Sequence, residues 1–165
     1  MASDSPFDPK DFRAALGSFP TGVAVVTAAG VGTGASHIGI TVNSFTSVSL
    51  DPPLVLWCID RRSRRYKAFA AAEGFTISVL AASHRAISMR LAGPGEHDLE
   101  GLALIPTQLG PPALAESLAV FECARESVQD AGDHAILIGR VLRITRHPEE
   151  GPPLVYFRGR YGALR

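Results

Sequence analysis

A chain of 165 residues, 46% hydrophobic and 19% charged, has the length and composition of one globular domain with a core of its own. Its 16 basic and 16 acidic residues cancel to a pI near 7.0. That balance argues against a nucleic-acid-binding or membrane-surface protein, whose affinity would come from a basic excess.

No apolar run approaches the ~18 residues of a membrane span. The N-terminus "MASDSPFDPKDF" lacks the basic segment and following apolar stretch of a signal peptide. Two cysteines, Cys58 and Cys123, are too few for a disulfide scaffold and are expected as buried free thiols. These features point to a cytoplasmic protein. With no repeat and no low-complexity linker, residues 1–165 read as a single domain.

Asp8 and Pro9 form the N-cap and first position of a short helix. Its apolar face carries Phe12, Leu16 and Phe19, and Pro20 stops it. "GVAVVTA" (Gly22 to Ala28) is a buried strand, "AGVGTGAS" a turn, and "HIGITVNSF" the returning strand. "PLVLWCI" (Pro53 to Ile59) predicts a third strand, apolar on both faces. Ser63 is placed to cap a helix carrying Tyr66 and Phe69 and closed by Gly74. "FTISVLA" (Phe75 to Ala81) is again a strand, and Ser83 is placed to cap a helix with Ile87 and Leu91 on one side. Gly95 to Pro112 is irregular, with Leu102 and Leu104 in a short strand. "LAVFECARESVQ" and "HAILIGRVLRIT" flank the turn "DAGD", the second alternating Ile136, Ile138 and Leu142 with small or basic residues. A last short strand and a Gly-broken tail follow in "PPLVYFRGRYGAL". Many strands with few helices predict a mainly β (α+β) chain, a closed or nearly closed barrel rather than a doubly wound sheet.

Several motifs reduce to ordinary structure. In "GVGTG" the third glycine comes one position too early for a dinucleotide fingerprint, and a strand follows, so it reads as a hairpin turn. The histidines His37, His84, His97, His134 and His147 show no metal-ligand spacing. No G-x-S-x-G elbow supports a serine hydrolase. "RRSRRYK" (Arg61 to Lys67) is either a solvated helix start or, with Ser63 at a helix N-terminus, a phosphate site.

The stretch "ITVNSFTSVSLDPPLVLWCI" supplies Thr41, Asn43, Ser44, Thr46, Ser47 and Ser49 with no ionisable group before Asp51. A neutral row of donors and acceptors suits the pyrimidine edge of an isoalloxazine; alone, it suits a polar strand-to-loop transition better. It is joined, in order, by "FRAALGSFPTGVAVVTA" before it and "FTISVLA", "GDHAILIGRV" and "PLVYFRGRYGAL" after it. Together, from Phe12 to Leu164, these elements resemble the short-chain flavin reductase family, the NAD(P)H:flavin oxidoreductases of two-component monooxygenases.

The resemblance implies a flavin-binding split β-barrel of Greek-key topology with peripheral helices, usually a homodimer. It implies FMN or FAD, NADH (or NADPH) as hydride donor, and a transient flavin-dependent monooxygenase partner; the charge balance already argues against nucleic acid and membrane. The matching flavin positions are Thr41, Asn43, Ser44, Phe45, Thr46, Ser47, Val48 and Ser49, then Cys58, Ile59, Asp60 and Ser63, then Ser78, Val79, Leu80 and Ala81. Arg90 is a further candidate for phosphate. His134, in "GDH", matches the position on the nicotinamide side, and Arg160 and Tyr161, in "GRY", match residues that close over the dinucleotide. Two other readings stand beside this one: a non-catalytic flavin carrier or interaction protein of the same fold, and an oxidase of a small phosphorylated substrate.

Overall fold

The computed structural model describes residues 6–95, 98–147 and 151–164; His97 lies outside them. Along the chain run helix α1 (Pro9–Leu16), strands β1 (Thr21–Gly22), β2 (Ala24–Ala29), β3 (His37–Val42), β4 (Thr46–Leu50) and β5 (Pro53–Asp60), and helix α2 (Tyr66–Ala71). Strand β6 (Gly74–Val79), a 3-10 turn at Ala82–His84 and helix α3 (Arg85–Ala92) follow. Strands β7 (Leu104–Ile105), β8 (Ala113–Leu114), β9 (Ala119–Ala131), β10 (His134–Arg146), β11 (Leu154–Phe157) and β12 (Arg160–Ala163) complete the chain.

The architecture is mainly β. Seven antiparallel strands form one sheet in the order β3-β2-β6-β9-β10-β5-β4, so β3 and β4 are its two outer strands. A three-stranded sheet, β1-β11-β12, and the small pair β7-β8 complete the set. One core cluster gathers Trp57, whose ring meets Phe69 and Phe75 edge-on at 5.1 and 5.7 Å. A second joins Val23, Val25, Leu80, Leu91, Leu114 and Leu154, under α3 and the small sheet.

Several local expectations need correction. Asp8 does cap α1, its carboxylate accepting from the Lys10 amide at 2.7 Å, but the helix ends at Leu16 and none of its residues is buried. Ser63 is not the cap of α2: Arg65 occupies that position, and Ser63 Oγ instead accepts from the Arg65 amide at 3.3 Å in the preceding turn. Nor does Ser83 cap α3, because a 3-10 turn intervenes and His84 is the flanking residue. Leu102 lies outside β7, which pairs Leu104 and Ile105 with β8.

On β10 the buried face is Ala135, Leu137 and Gly139, not Ile136, Ile138 and Leu142. Gly139 is small for a reason: a Cβ there would lie 2.6 Å from the Phe75 ring. β5 is likewise one-sided, with Val55, Trp57 and Ile59 buried and Leu54, Leu56 and Cys58 half-buried opposite, so Cys58 is not a fully buried thiol. The tail forms a second strand. Arg158 and Gly159 take left-handed φ values of 48° and 75°, the two-residue turn that lets β12 fold back on β11.

Candidate functional site

The site begins where β3 ends. After Val42 three residues, Asn43, Ser44 and Phe45, carry the chain from one outer strand of the large sheet to the other. Two interactions hold this connector. Ser44 Oγ accepts from the Cys58 amide at 2.9 Å and donates to the Cys58 carbonyl at 3.4 Å, replacing strand pairing with β5. Phe45 packs against the core, its ring 5.4 Å from Phe121. Asn43 is left exposed at the rim.

A cavity of about 320 Å³ opens beside the connector, lined by Thr41, Asn43, Ser44, Cys58, Asp60 and His134 among others. His134 is opposite Asp60 in the β10–β5 register, which brings two residues far apart in sequence to one wall. Asp60 is held down to about 2 by Arg62, which donates to it from Nε, Nη2 and the backbone amide. It therefore stays ionised at neutral pH. His134 Nδ1 lies 2.7 Å from Asp133 Oδ1. The histidine's hydrogen bond holds the Asp133 carboxyl below its ordinary value. A carboxylate can only accept here, so Nδ1 carries the proton and Nε2 remains for a ligand.

Two further cavities continue the first. One of about 410 Å³ shares Ile40 and Asp60 with it and adds Ser63, Arg64, Arg65 and the 92–95 backbone. The other, about 190 Å³, shares Thr41 and Asn43 and is closed by Tyr156 and Tyr161. The result is one groove: cationic at one end, uncharged in the middle apart from the Asp60 carboxylate, and aromatic at the other.

The cations of "RRSRRYK" divide by role. Arg61 pairs with Asp130 at 3.5 Å and Arg62 with Asp60. Arg65 is buried, donating to the carbonyls of Gly39, Leu91 and Gly93 at 2.8–3.0 Å with no carboxylate partner among the described residues. Desolvation lowers its pKa, and its charge is screened less than that of a surface arginine. Arg64 is exposed and has no ion-pair partner among the described residues.

The structure thus brings Thr41, Asn43, Ser44, Cys58, Ile59, Asp60, Ser63, His134 and Tyr161 to the groove. It does not bring the others there. Phe45 turns into the core; Thr46, Ser47, Val48 and Ser49 run along outer strand β4. Ser78 is fully buried and its hydroxyl accepts from the Leu114 amide at 3.1 Å. Leu80 and Ala81 are buried and Val79 lies beside them. Arg90 pairs with Asp98 and donates to the Glu100 carbonyl. Arg160 is exposed on β12. Ile40, Val42 and Tyr156 also line the groove and are not among the expected positions. Arg65 lies within the "RRSRRYK" run, which the sequence offers as a phosphate site without singling it out.

The donor set suits a flat, neutral ring with a phosphate tail, though not through the hydroxyl row. Thr41 Oγ1 is committed to the Ser88 carbonyl at 2.7 Å and Ser44 to Cys58. The Asn43 side chain and the connector's backbone are left to meet such a ring, with cations near Ser63 for its tail.

Residues 16–165 match the flavin reductase like domain family. The chain is 45% identical over 153 residues to FMN reductase (NADH) SmoA of Agrobacterium fabrum, covering 93% of this chain and 84% of that protein. It is 36% identical over 162 residues to HsaB of Mycobacterium tuberculosis, the reductase subunit of a flavin-dependent monooxygenase, covering 95% and 83%. Its fold is similar to the NADH:FAD oxidoreductase of Streptomyces globisporus C-1027 solved with NAD and FAD fragments. There the TM-score is 0.86 at 34% identity, over 98% of this chain and 97% of that one.

Proposed function

Since the chain belongs to the flavin reductase like family, we propose that it transfers hydride from NADH or NADPH to FMN or FAD and so supplies reduced flavin to a partner monooxygenase. The single observation that supports this most is the continuous groove through Asn43, cationic at Ser63 and Arg64 and aromatic at Tyr156 and Tyr161. A carrier needs only the neutral and cationic parts. The aromatic end, next to the cavity that His134 lines, favours a second ligand and hence turnover.

When bound, a flavin supplies the hydride acceptor at its N5. The protein's own work is to stack the two rings and keep water from between them. Asn43 and the connector backbone hold the ring's uncharged polar edge. Cys58 and Ile59, beside them on β5, give it an apolar wall. Ser63 and Arg64, with the buried charge of Arg65 behind them, hold phosphate; this role rests on charge, since α2 has only six residues and Ser63 does not cap it. His134, fixed through Nδ1 by Asp133, sets a polar imidazole in the wall of the same cavity. Tyr161 covers the nicotinamide side.

We further infer one split-barrel domain of Greek-key type, because a three-residue connector joins the outer strands β3 and β4. A homodimer is supported by apolar side chains left exposed. Two unpaired cysteines accord with a reducing cytoplasm, and no helix among the described residues is long and apolar enough to cross a membrane.

The experiment is an assay of NADH and NADPH oxidation with each free flavin. Oxidation should require FMN or FAD and yield peroxide when no oxygenase is present. No oxidation above the free-flavin background with any of the four pairs would overturn the assignment.

A further inference from the structure

The narrow end of the groove lies between Thr41 on β3 and Tyr161 on β12, and one buried residue is tied to both. Ser88, in the middle of α3, is fully buried. Its Oγ lies 2.8 Å from the Tyr161 hydroxyl, and its carbonyl accepts from Thr41 Oγ1 at 2.7 Å. Ser88 itself lines neither adjoining cavity.

The tie to Tyr161 matters because of where β12 sits. It is the outer strand of its sheet and pairs only with β11. Arg160, Gly162 and Ala163 are exposed, and Tyr161 alone on this strand is part-buried against the body of the protein. β11 is stitched down by backbone bonds: to β1, from the Leu154 amide to the Leu80 carbonyl, and just beyond it from the Arg158 amide to the Gly17 carbonyl. Among the described residues, the Ser88–Tyr161 bond is the one hydrogen bond that joins β12 to anything but β11. The Tyr156 ring at 5.4 Å and the Arg85 guanidinium at 6.0 Å complete the setting of the phenol ring.

We propose that Ser88 is a positioning residue for the reductase reaction: it holds Tyr161 at the distance from Thr41 and Asn43 that the nicotinamide ring needs, while touching neither reactant. The inference rests on the groove being the flavin reductase site. The physical argument is that a part-buried phenol hydroxyl keeps a partner or moves to water. Ser88→Ala leaves Tyr161 facing a methyl group, and among the described residues no other hydrogen bond ties the strand to anything but β11. The bond from Thr41 goes to the backbone carbonyl and survives the substitution. One arm of the tie is cut and the other kept, so the flavin side should not feel the change.

Two measurements test this. In steady-state kinetics, Ser88→Ala should lower kcat/KM for NADH by about five- to tenfold, carried by KM, with the flavin KM within about twofold of wild type. Tyr161→Phe removes the same hydrogen bond from the other end, so the double variant should be no worse than the poorer single variant. In hydrogen–deuterium exchange on the flavin-free protein, Ser88→Ala should speed exchange at residues 154–163 and leave the β9–β10 hairpin unchanged. The exchange result stands even if the wild-type protein shows no turnover, in which case the functional reading fails and not the tie. An unchanged or lowered NADH KM, a flavin KM that rises in step with it, additive single effects, or unaltered exchange at 154–163 would each overturn the proposal.

Discussion

Cys58 and Cys123 show how burial decides the behaviour of one side-chain type. Burial, then the charge of Glu122, pushes the Cys123 thiol up to about 12. Burial also raises Cys58, against a smaller opposing effect of its hydrogen bond to Ser44. The thiolate is the reactive form, so both should be poor nucleophiles at neutral pH. We expect a thiol reagent at pH 8 to label Cys58 slowly and Cys123 only after unfolding, with flavin slowing Cys58 further because it lines the groove. Labelling followed by mass spectrometry checks this; equal rates at both sites in the folded protein would contradict it. At this same scale the sequence was legible in kind and opaque in partner. Thr41 and Ser44 belong to the site, yet their hydroxyls serve Ser88 and Cys58. A hydroxyl's partner is chosen by tertiary contacts that no local pattern encodes. Ser88 carried no signal at all, since a serine within a helix looks the same exposed or buried.

Among the elements, the β9–β10 hairpin was readable from its alternation and from Gly132 in the turn, at φ 64°. Which of its faces is buried was not. The outer face carries Ile136 and Ile138, while the inner face carries Ala135 and Gly139 to make room for Phe75, so hydrophobicity pointed the wrong way. The segment around 107–114 was opaque for a related reason: polar side chains from the sheet hold it. Thr27 on β2 donates to the Pro112 carbonyl, Thr76 on β6 to that of Pro111, and Ser78 accepts from Leu114. Glu122 on β9 accepts from the amides of Gln108 and Leu109 at 2.9 and 3.0 Å. Removing that buried carboxylate leaves two amides without an acceptor. Bonds to charged groups are worth about 1.5–3 kcal/mol, so Glu122→Ala should cost about 3 kcal/mol of stability in urea unfolding. Glu122→Gln, which keeps an acceptor, should cost clearly less. A loss below about 1 kcal/mol for the alanine variant would mean that the segment is held chiefly by its apolar contacts.

Among the described residues, exposed large apolar side chains include Phe12, Leu16 and Phe19 on α1 and its flank, and Val48, Leu50, Leu142 and Ile144 on the large sheet. A helix of eight residues with no buried member gains little from packing within its own chain. Patches of this kind on a chain of 17.5 kDa are what an interface between copies would cover. Light scattering at micromolar protein should therefore give twice 17.5 kDa; a value near 17.5 kDa would refute the dimer.

The connector Asn43–Phe45 has a last consequence. These residues join the two margins of the seven-stranded sheet, and two of them, Asn43 and Ser44, line the middle of the groove. A ligand seated there would act as a staple across a seam, so occupancy and cohesion of the sheet would draw on one free energy. Whatever fraction of the chain has its seam parted is also unable to bind. Saturating ligand recruits that fraction back by mass action. On the proposed function, each release of reduced flavin would loosen the enzyme's own seam, and the next oxidised flavin would close it again.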